Sequence, residues 1–164
     1  MSLASYAVKY NPIDMVESIF NDRSFELERR GINEVAVEVQ GKWNNLLLFF
    51  AWEENIKCLH ISCILDIENV SDSNSKVFEL LALVNEDLWL GHFSYWKEQN
   101  LPVFKHSMLL DNNEDISPEK LSQIINIAIK ECERMHPIFK AVLTKGVEPE
   151  QALYPITFAT IGQA

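Results

Sequence analysis

Glycine is scarce in this sequence. Five residues, Gly31, Gly41, Gly91, Gly146 and Gly162, are spread along 164 positions. They are too dispersed to cradle a phosphate, and neither a Walker nor a dinucleotide-binding pattern occurs. The G-x-S-x-G elbow and the H-E-x-x-H pair are missing too. Basic side chains are a minority: 14 Lys and Arg against 24 Asp and Glu leave a formal charge of −10 and a pI near 4.8. Nucleic-acid affinity comes from cations that neutralise phosphates, and anionic membranes select the same sign, so neither partner is expected. An acidic chain suits solubility or a basic protein partner. Three cysteines, Cys58, Cys63 and Cys132, cannot all pair. The opening residues 1–10 lack the basic and apolar regions of a secretory signal. No stretch approaches the ~18 apolar residues of a membrane span. A reducing, cytoplasmic setting is the expectation, and in it the Asn69-Val70-Ser71 sequon has no meaning.

What is present is an ordinary globular composition, 48% hydrophobic and 23% charged, in a chain long enough for one domain with a real core. The stretch from 75 to 110 organises the rest. Its first half, 75–90, reads as an amphipathic helix that stops at Gly91 and turns into a hairpin over 92–110. Val77, Leu80, Leu81, Val84 and Leu88 make one apolar stripe, while Phe78, Ala82 and Trp89 make a second row beside it. Glu79, Glu86 and Asp87 point away. Two rows are more than one sheet face covers, which predicts a helix that packs on its own sheet and also meets another polypeptide.

Around that unit the chain alternates. Asn11-Pro12, with Asp14 close behind, opens a helix whose buried side is Ile13, Val16, Ile19 and Phe20, ended by residues 21–24. A short edge strand follows over 25–29, then a clean alternation of Val35, Val37 and Val39 against Glu34, Glu38 and Gln40. Residues 46–52 are apolar on both faces, which predicts a central strand or one under a partner. Residues 58–67 form the next strand, and the polar loop 71–75 is expected to cap the helix. After the acidic loop 111–115, Ser117-Pro118-Glu119 opens a long helix. Its stripe runs Leu121, Ile124, Ile125, Ala128, Cys132, Met135, Phe139 and Leu143, with a kink or break expected near His136 because Pro137 cannot donate. A last helical turn over 148–154 and a loose tail complete the chain. The expected fold is α+β: a single domain over 11–154, with an N-terminal extension 1–10 and a tail 155–164. Its order is α-β-β-β(-β)-α-β-β-α around an antiparallel sheet.

No catalytic constellation emerges, and no cofactor or metal is expected. Residues 111–115 start like a calcium loop, but the required Gly is Ile116 and the required Glu is Ser122. Cys132 and His136 have chelating i, i+4 spacing, yet Cys132 sits in the buried stripe. Cys58 and His60 share a strand face from which Cys63 points away, short of the three or four convergent ligands zinc requires. Trp89, Phe93, Tyr95 and Trp96 cluster at the helix-to-hairpin junction. They read either as core closure or as protein-binding anchors.

The run 85–93 (Asn-Glu-Asp-Leu-Trp-Leu-Gly-His-Phe) with Trp96 resembles the YbjN family of bacterial sensory transduction regulators. So do residues 25–29 with Gly31 and Glu34, then Trp52 and Lys105-His106. Residues 131–134 before His136-Pro137, Phe139, and the ending at Gly146, Pro149 and Ala152 extend the likeness along nearly the whole chain. Ser94 and Lys105 depart from the acid and arginine expected there. The resemblance implies a fold like that of type III secretion chaperones: small, acidic, dimeric proteins that hold client segments and dimerise through the middle helix. The expectation is therefore a non-enzymatic, chaperone-like or regulatory homodimer that binds a protein client. Phe78, Ala82, Trp89, Phe93 and Trp96 are the candidate partner or dimer contacts. The alternative is a small-molecule sensor or unrecognised enzyme with a pocket near His92, Trp96 and His106.

Overall fold

Helix starts follow local chemistry. At α1 (Pro12–Asn21) the Asn11 side-chain oxygen accepts the Ile13 N–H at 2.9 Å, and proline's fixed φ suits the first turn. The computed structural model describes residues 9–21, 25–71 and 75–161, with side chains as far as Pro155. The expected extension 1–10 therefore lies mostly outside the described residues, as do residues 22–24 after α1 and most of the loop 71–75. After α1 come β1 (Glu26–Arg29), β2 (Glu34–Gln40), β3 (Asn45–Glu53) and β4 (Cys58–Leu65). Then follow α2 (Lys76–Glu86), β5 (His92–Trp96), β6 (Leu101–Leu109), α3 (Pro118–Lys145) and α4 (Pro149–Ile161).

The strands form one antiparallel sheet in the order β1-β2-β3-β4-β6-β5. Register follows the apolar alternation, because a one-residue slip would turn every buried side chain outward. Val37 lies opposite Leu48, Leu48 opposite Cys63, Cys63 opposite Phe104, and Phe104 opposite Phe93. This face is packed by α1 against β1, β2 and β3, by α3 against β4 and β6, and by α2 against β5, while α4 rests on α2 and α3. The core lies between: Phe20, Leu48, Phe50, Ile61, Phe104, Leu121, Cys132 and Phe139 are all buried. A fully buried Leu, Ile or Phe side chain contributes ~1.5–3 kcal/mol relative to exposure. β3 is central, as its double apolar pattern predicts. Among the described residues, the other sheet face carries no helix.

Three local expectations are corrected. α2 ends at Glu86, four residues before the expected stop, where the Asp87 N–H turns back to the Val84 carbonyl at 3.3 Å. Asn85 and Asp87 bond to backbone more readily than they extend a helix. Ser75 itself makes no side-chain cap bond to α2, and residues 72–74 of the loop expected to cap it lie outside the described residues. Of the kink or break expected near His136, the break does not occur, because α3 runs on through Pro137. Proline frees the carbonyl four residues back, here that of Glu133, and the Trp43 indole N–H donates to it at 3.1 Å. The tail is helical through Ile161, beyond the boundary drawn at 154, and residues 162–164 lie outside the described set. α3 otherwise follows the sequence: Ser117 Oγ accepts the Lys120 N–H at 3.1 Å, and Gly146 closes the helix in the left-handed conformation, φ 64°.

Candidate protein-binding surface

α2 presents only part of its apolar surface to the core. Val77, Leu80 and Val84 are buried, and Leu81 and Leu88 are half-buried. The second row stays outside: Phe78 is 57% exposed and Ala82 is exposed. Phe78 touches the rest of the fold edge-on at Tyr95, with ring centroids 6.1 Å apart. Since α2 ends at Glu86, Trp89 stands in the connection to β5 rather than on the helix row, and it is wholly exposed at 103%. Glu79, Glu86 and Asp87 are exposed around these aromatics, while Lys76 is engaged by the Gly146 carbonyl and Glu148.

Two devices hold the junction in place. The Asn85 amide donates to the Phe93 carbonyl at 2.9 Å and accepts the Phe93 N–H at 2.7 Å, so one side chain occupies both backbone groups on the outer side of β5. That also protects a sheet edge from foreign strands. Gly91 adopts φ +70°, and a Cβ there would fall 2.3 Å from Phe104 Cζ, so conformation and space both demand glycine.

Phe93 does not belong to the surface. It is 2% exposed and packs between Phe104 and Phe139, with centroids 5.4 and 5.3 Å away, because its strand parity aims it under α3. Trp96, 45% exposed, has the opposite parity and lies on the helix-free face. The aromatic group therefore splits. Phe78 and Ala82 are exposed on α2 and Trp89 in the connection to β5, Trp96 borders the bare sheet, and Phe93 is core.

The expected pocket of His92, Trp96 and His106 does not assemble. His92 lies opposite Lys105 and Trp96 opposite Leu101 on the bare face, whereas His106 lies opposite Ile61 on the helix-covered one. Burial lowers the His106 pKa below its ordinary value, and nearby His92 adds to the effect. A third imidazole, His60, weighed in the sequence only beside Cys58, lies between Ser107 Oγ at 2.7 Å and Ser62 Oγ at 2.9 Å. Its pKa is lowered by burial and then by Lys105, His92 and His106, so no charged partner favours its imidazolium. β-Strand parity could have found the row, since His60 and Ser62 alternate on one face.

The other candidates have structural employment. Cys132 is fully buried against Cys63, and burial followed by that neighbour pushes its thiol well above the ordinary range. Asp115 spends its carboxylate on the backbone N–H groups of Asp111 and Asn112. His136 is buried, stacked on Trp43 with the rings 6° from parallel, and its Nε2 lies 3.3 Å from the Asp66 carbonyl.

A family model described as "Putative bacterial sensory transduction regulator", YbjN, matches residues 12–141. The chain belongs to the YbjN family. The YbjN match takes in everything from α1 to the last turns of α3, including the whole α2–β5 junction. No curated protein matches the chain. Two solved structures share the fold of this YbjN protein. A chain of the ExsC–ExsE complex is 12% identical, over 77% of this chain and 95% of its own, with a TM-score of 0.54. A chain of the HopA1–SchA chaperone–effector complex is 11% identical, over 74% and 89%, with a TM-score of 0.51. At this identity the likeness to both is one of architecture.

Proposed function

We propose that this YbjN protein is a non-enzymatic, protein-binding module, chaperone-like or regulatory, that works as a homodimer in the reducing cytoplasm. The observation that carries the reading is Trp89. A tryptophan wholly exposed in the connection after α2, on which Phe78 is 57% exposed, has little to do for its own fold, and exposed aromatics are what protein interfaces use as anchors. Phe78, Ala82 and Trp89 are the proposed contacts, and Trp96 is a second anchor at the margin of the bare sheet. The surrounding carboxylates favour a client with basic residues at its rim. The chaperone architecture supports the same reading, and three unpaired thiols agree with a reducing compartment.

The test is affinity capture from the native cell with the wild-type chain and a Phe78→Ala/Trp89→Ala variant. A protein held by the first and lost by the second supports the proposal. Recovery unchanged by the double substitution contradicts it. Light scattering addresses the dimer separately, and a strict monomer in concentrated samples removes that half.

A further inference from the structure

The bare face of the sheet is charged asymmetrically. Its β1–β2 flank carries Glu26, Glu28, Glu34 and Glu38, all exposed. Arg30 lies over the Phe49 ring at 4.9 Å and is 3.5 Å from Glu28, so the other three carboxylates set the sign of that flank. The β6–β5 flank carries Lys105 and His92, opposite one another. Between them the face is mixed: Ala36 and Val103 are buried and Leu47, Phe49, Ala51 and Ile64 are half-buried, with the hydrogen-bonded His60, Ser62 and Ser107 on β4 and β6 among them.

We propose that a second copy of this chain covers that face, sheet against sheet, about a two-fold axis that runs parallel to the strands between β3 and β4. The inference rests on the homodimer proposed above and assigns it a surface, which leaves the α2–β5 patch free for the client. Rotation about such an axis reverses the strand order across the interface while keeping each residue at its height along the strands. The acidic flank of one copy then faces the basic flank of the other, the arrangement that a self-complementary interface requires. The register fixes the pairs. The row Glu28, Ala36, Phe49, Ser62, Lys105, His92 meets its own reverse, so Glu28 faces His92 and Lys105 faces Ala36 between Glu34 and Glu38. In the next row Leu47 faces Ile64. An axis across the strands would instead set carboxylate on carboxylate.

Size permits the contact. Five gaps of ~4.8 Å by about seven residues of ~3.4 Å give roughly 600 Å² per copy. About 1,200 Å² in total is the lower end of specific interfaces.

Sedimentation equilibrium on the full chain tests the proposal by charge exchange. K105E raises the dimer dissociation constant at least about tenfold, and so does E34K/E38K, because each sets like charges face to face. The triple variant E34K/E38K/K105E restores the dimer to within a few-fold of wild type. A dimer indifferent to all three overturns the assignment. So does one that loosens only with Phe78→Ala/Trp89→Ala, which moves the interface to α2 and leaves the homodimer standing. A strict monomer overturns both, while client capture still judges the binding reading. Zero-length carbodiimide coupling of isotopically mixed wild-type copies needs no variant. Lys105 is three strand spacings, ~14 Å, from β2 of its own sheet. A Lys105 link to Glu34 or Glu38 must therefore join two copies, and its absence from a dimeric sample refutes the proposal.

Discussion

Trp89 and Phe93, four positions apart, should respond oppositely to truncation. Trp89 is 103% exposed and Phe93 is 2% exposed between two phenylalanine rings. Trp89→Ala removes a side chain that makes little contact within its own fold, so stability should stay within about 0.5 kcal/mol of wild type. Phe93→Ala removes the transfer free energy of a buried ring and leaves a cavity, about 3–5 kcal/mol for such truncations. The tilted and edge-on contacts to Phe139 and Phe104 place it toward the upper end. In a domain of this size each kcal/mol moves Tm by about 2–4 °C, so Phe93→Ala should melt ~10 °C or more below wild type. Client capture should show the reverse order, with recovery lost in Trp89→Ala and retained by Phe93→Ala below its melting range. Urea and thermal unfolding of both variants decide the matter. A Trp89→Ala that costs more than about 1 kcal/mol, or a Phe93→Ala that costs less, refutes the division into surface and core.

Other outcomes follow from single contacts. Asn85→Ala strands the N–H and carbonyl of Phe93 on a sheet edge; ~1–3 kcal/mol should be lost in denaturant titration, and Asn85→Asp, which keeps the acceptor, should lose less. Trp43→Phe keeps a ring over His136 but leaves the Pro137-freed carbonyl without its donor; about 1 kcal/mol of destabilisation is expected, and none would show that water replaces the indole. Gly91→Ala combines a left-handed φ with a 2.3 Å collision, whereas Gly146→Ala meets nothing within 4 Å. The second should cost about 1 kcal/mol and the first clearly more, so equal losses would contradict the packing at Phe104. His136 titrates below its ordinary 6.5, chiefly through burial and also through Lys140; the Asp66 carbonyl, Glu133 and Asp66 oppose the shift. A lowered folded pKa means that the unfolded chain binds more protons just below 6.5. Stability should therefore fall as pH drops from about 7 to 5.5, and His136→Gln should flatten part of that slope. A slope of the opposite sign in the wild type would contradict the burial.

Much of this fold could be read from residue order because local and tertiary preferences agree. Asn11-Pro12 and Ser117-Pro118 start helices where the cap chemistry says they should, and Val35, Val37 and Val39 fix both strand and register. The misreadings came from contacts between residues distant in the chain. Helical periodicity over 75–90 could not reveal that the side chain of Asn85, still within α2, bonds to Phe93, or that the helix stops at Glu86 and leaves Trp89 in the connection to β5. Pro137 looked like a break because the donor that rescues its freed carbonyl, Trp43, lies 90 residues away. The exposure of Phe78 and Ala82 follows from the excess of apolar rows on α2, whereas Trp89, read as part of the same row, lies beyond the end of the helix. The parity that hides Phe93 and separates His92 from His106 required the strand register.

The α2–β5 surface is tested most directly by photocrosslinking in the native cell, with benzophenone side chains introduced singly at Phe78, Trp89 and Ile56. Ile56 is a 64% exposed control in the turn between β3 and β4. Adducts to one and the same protein from positions 78 and 89, absent from position 56, are the predicted result. Labelling that is equal at all three positions, or absent at 78 and 89, would contradict it.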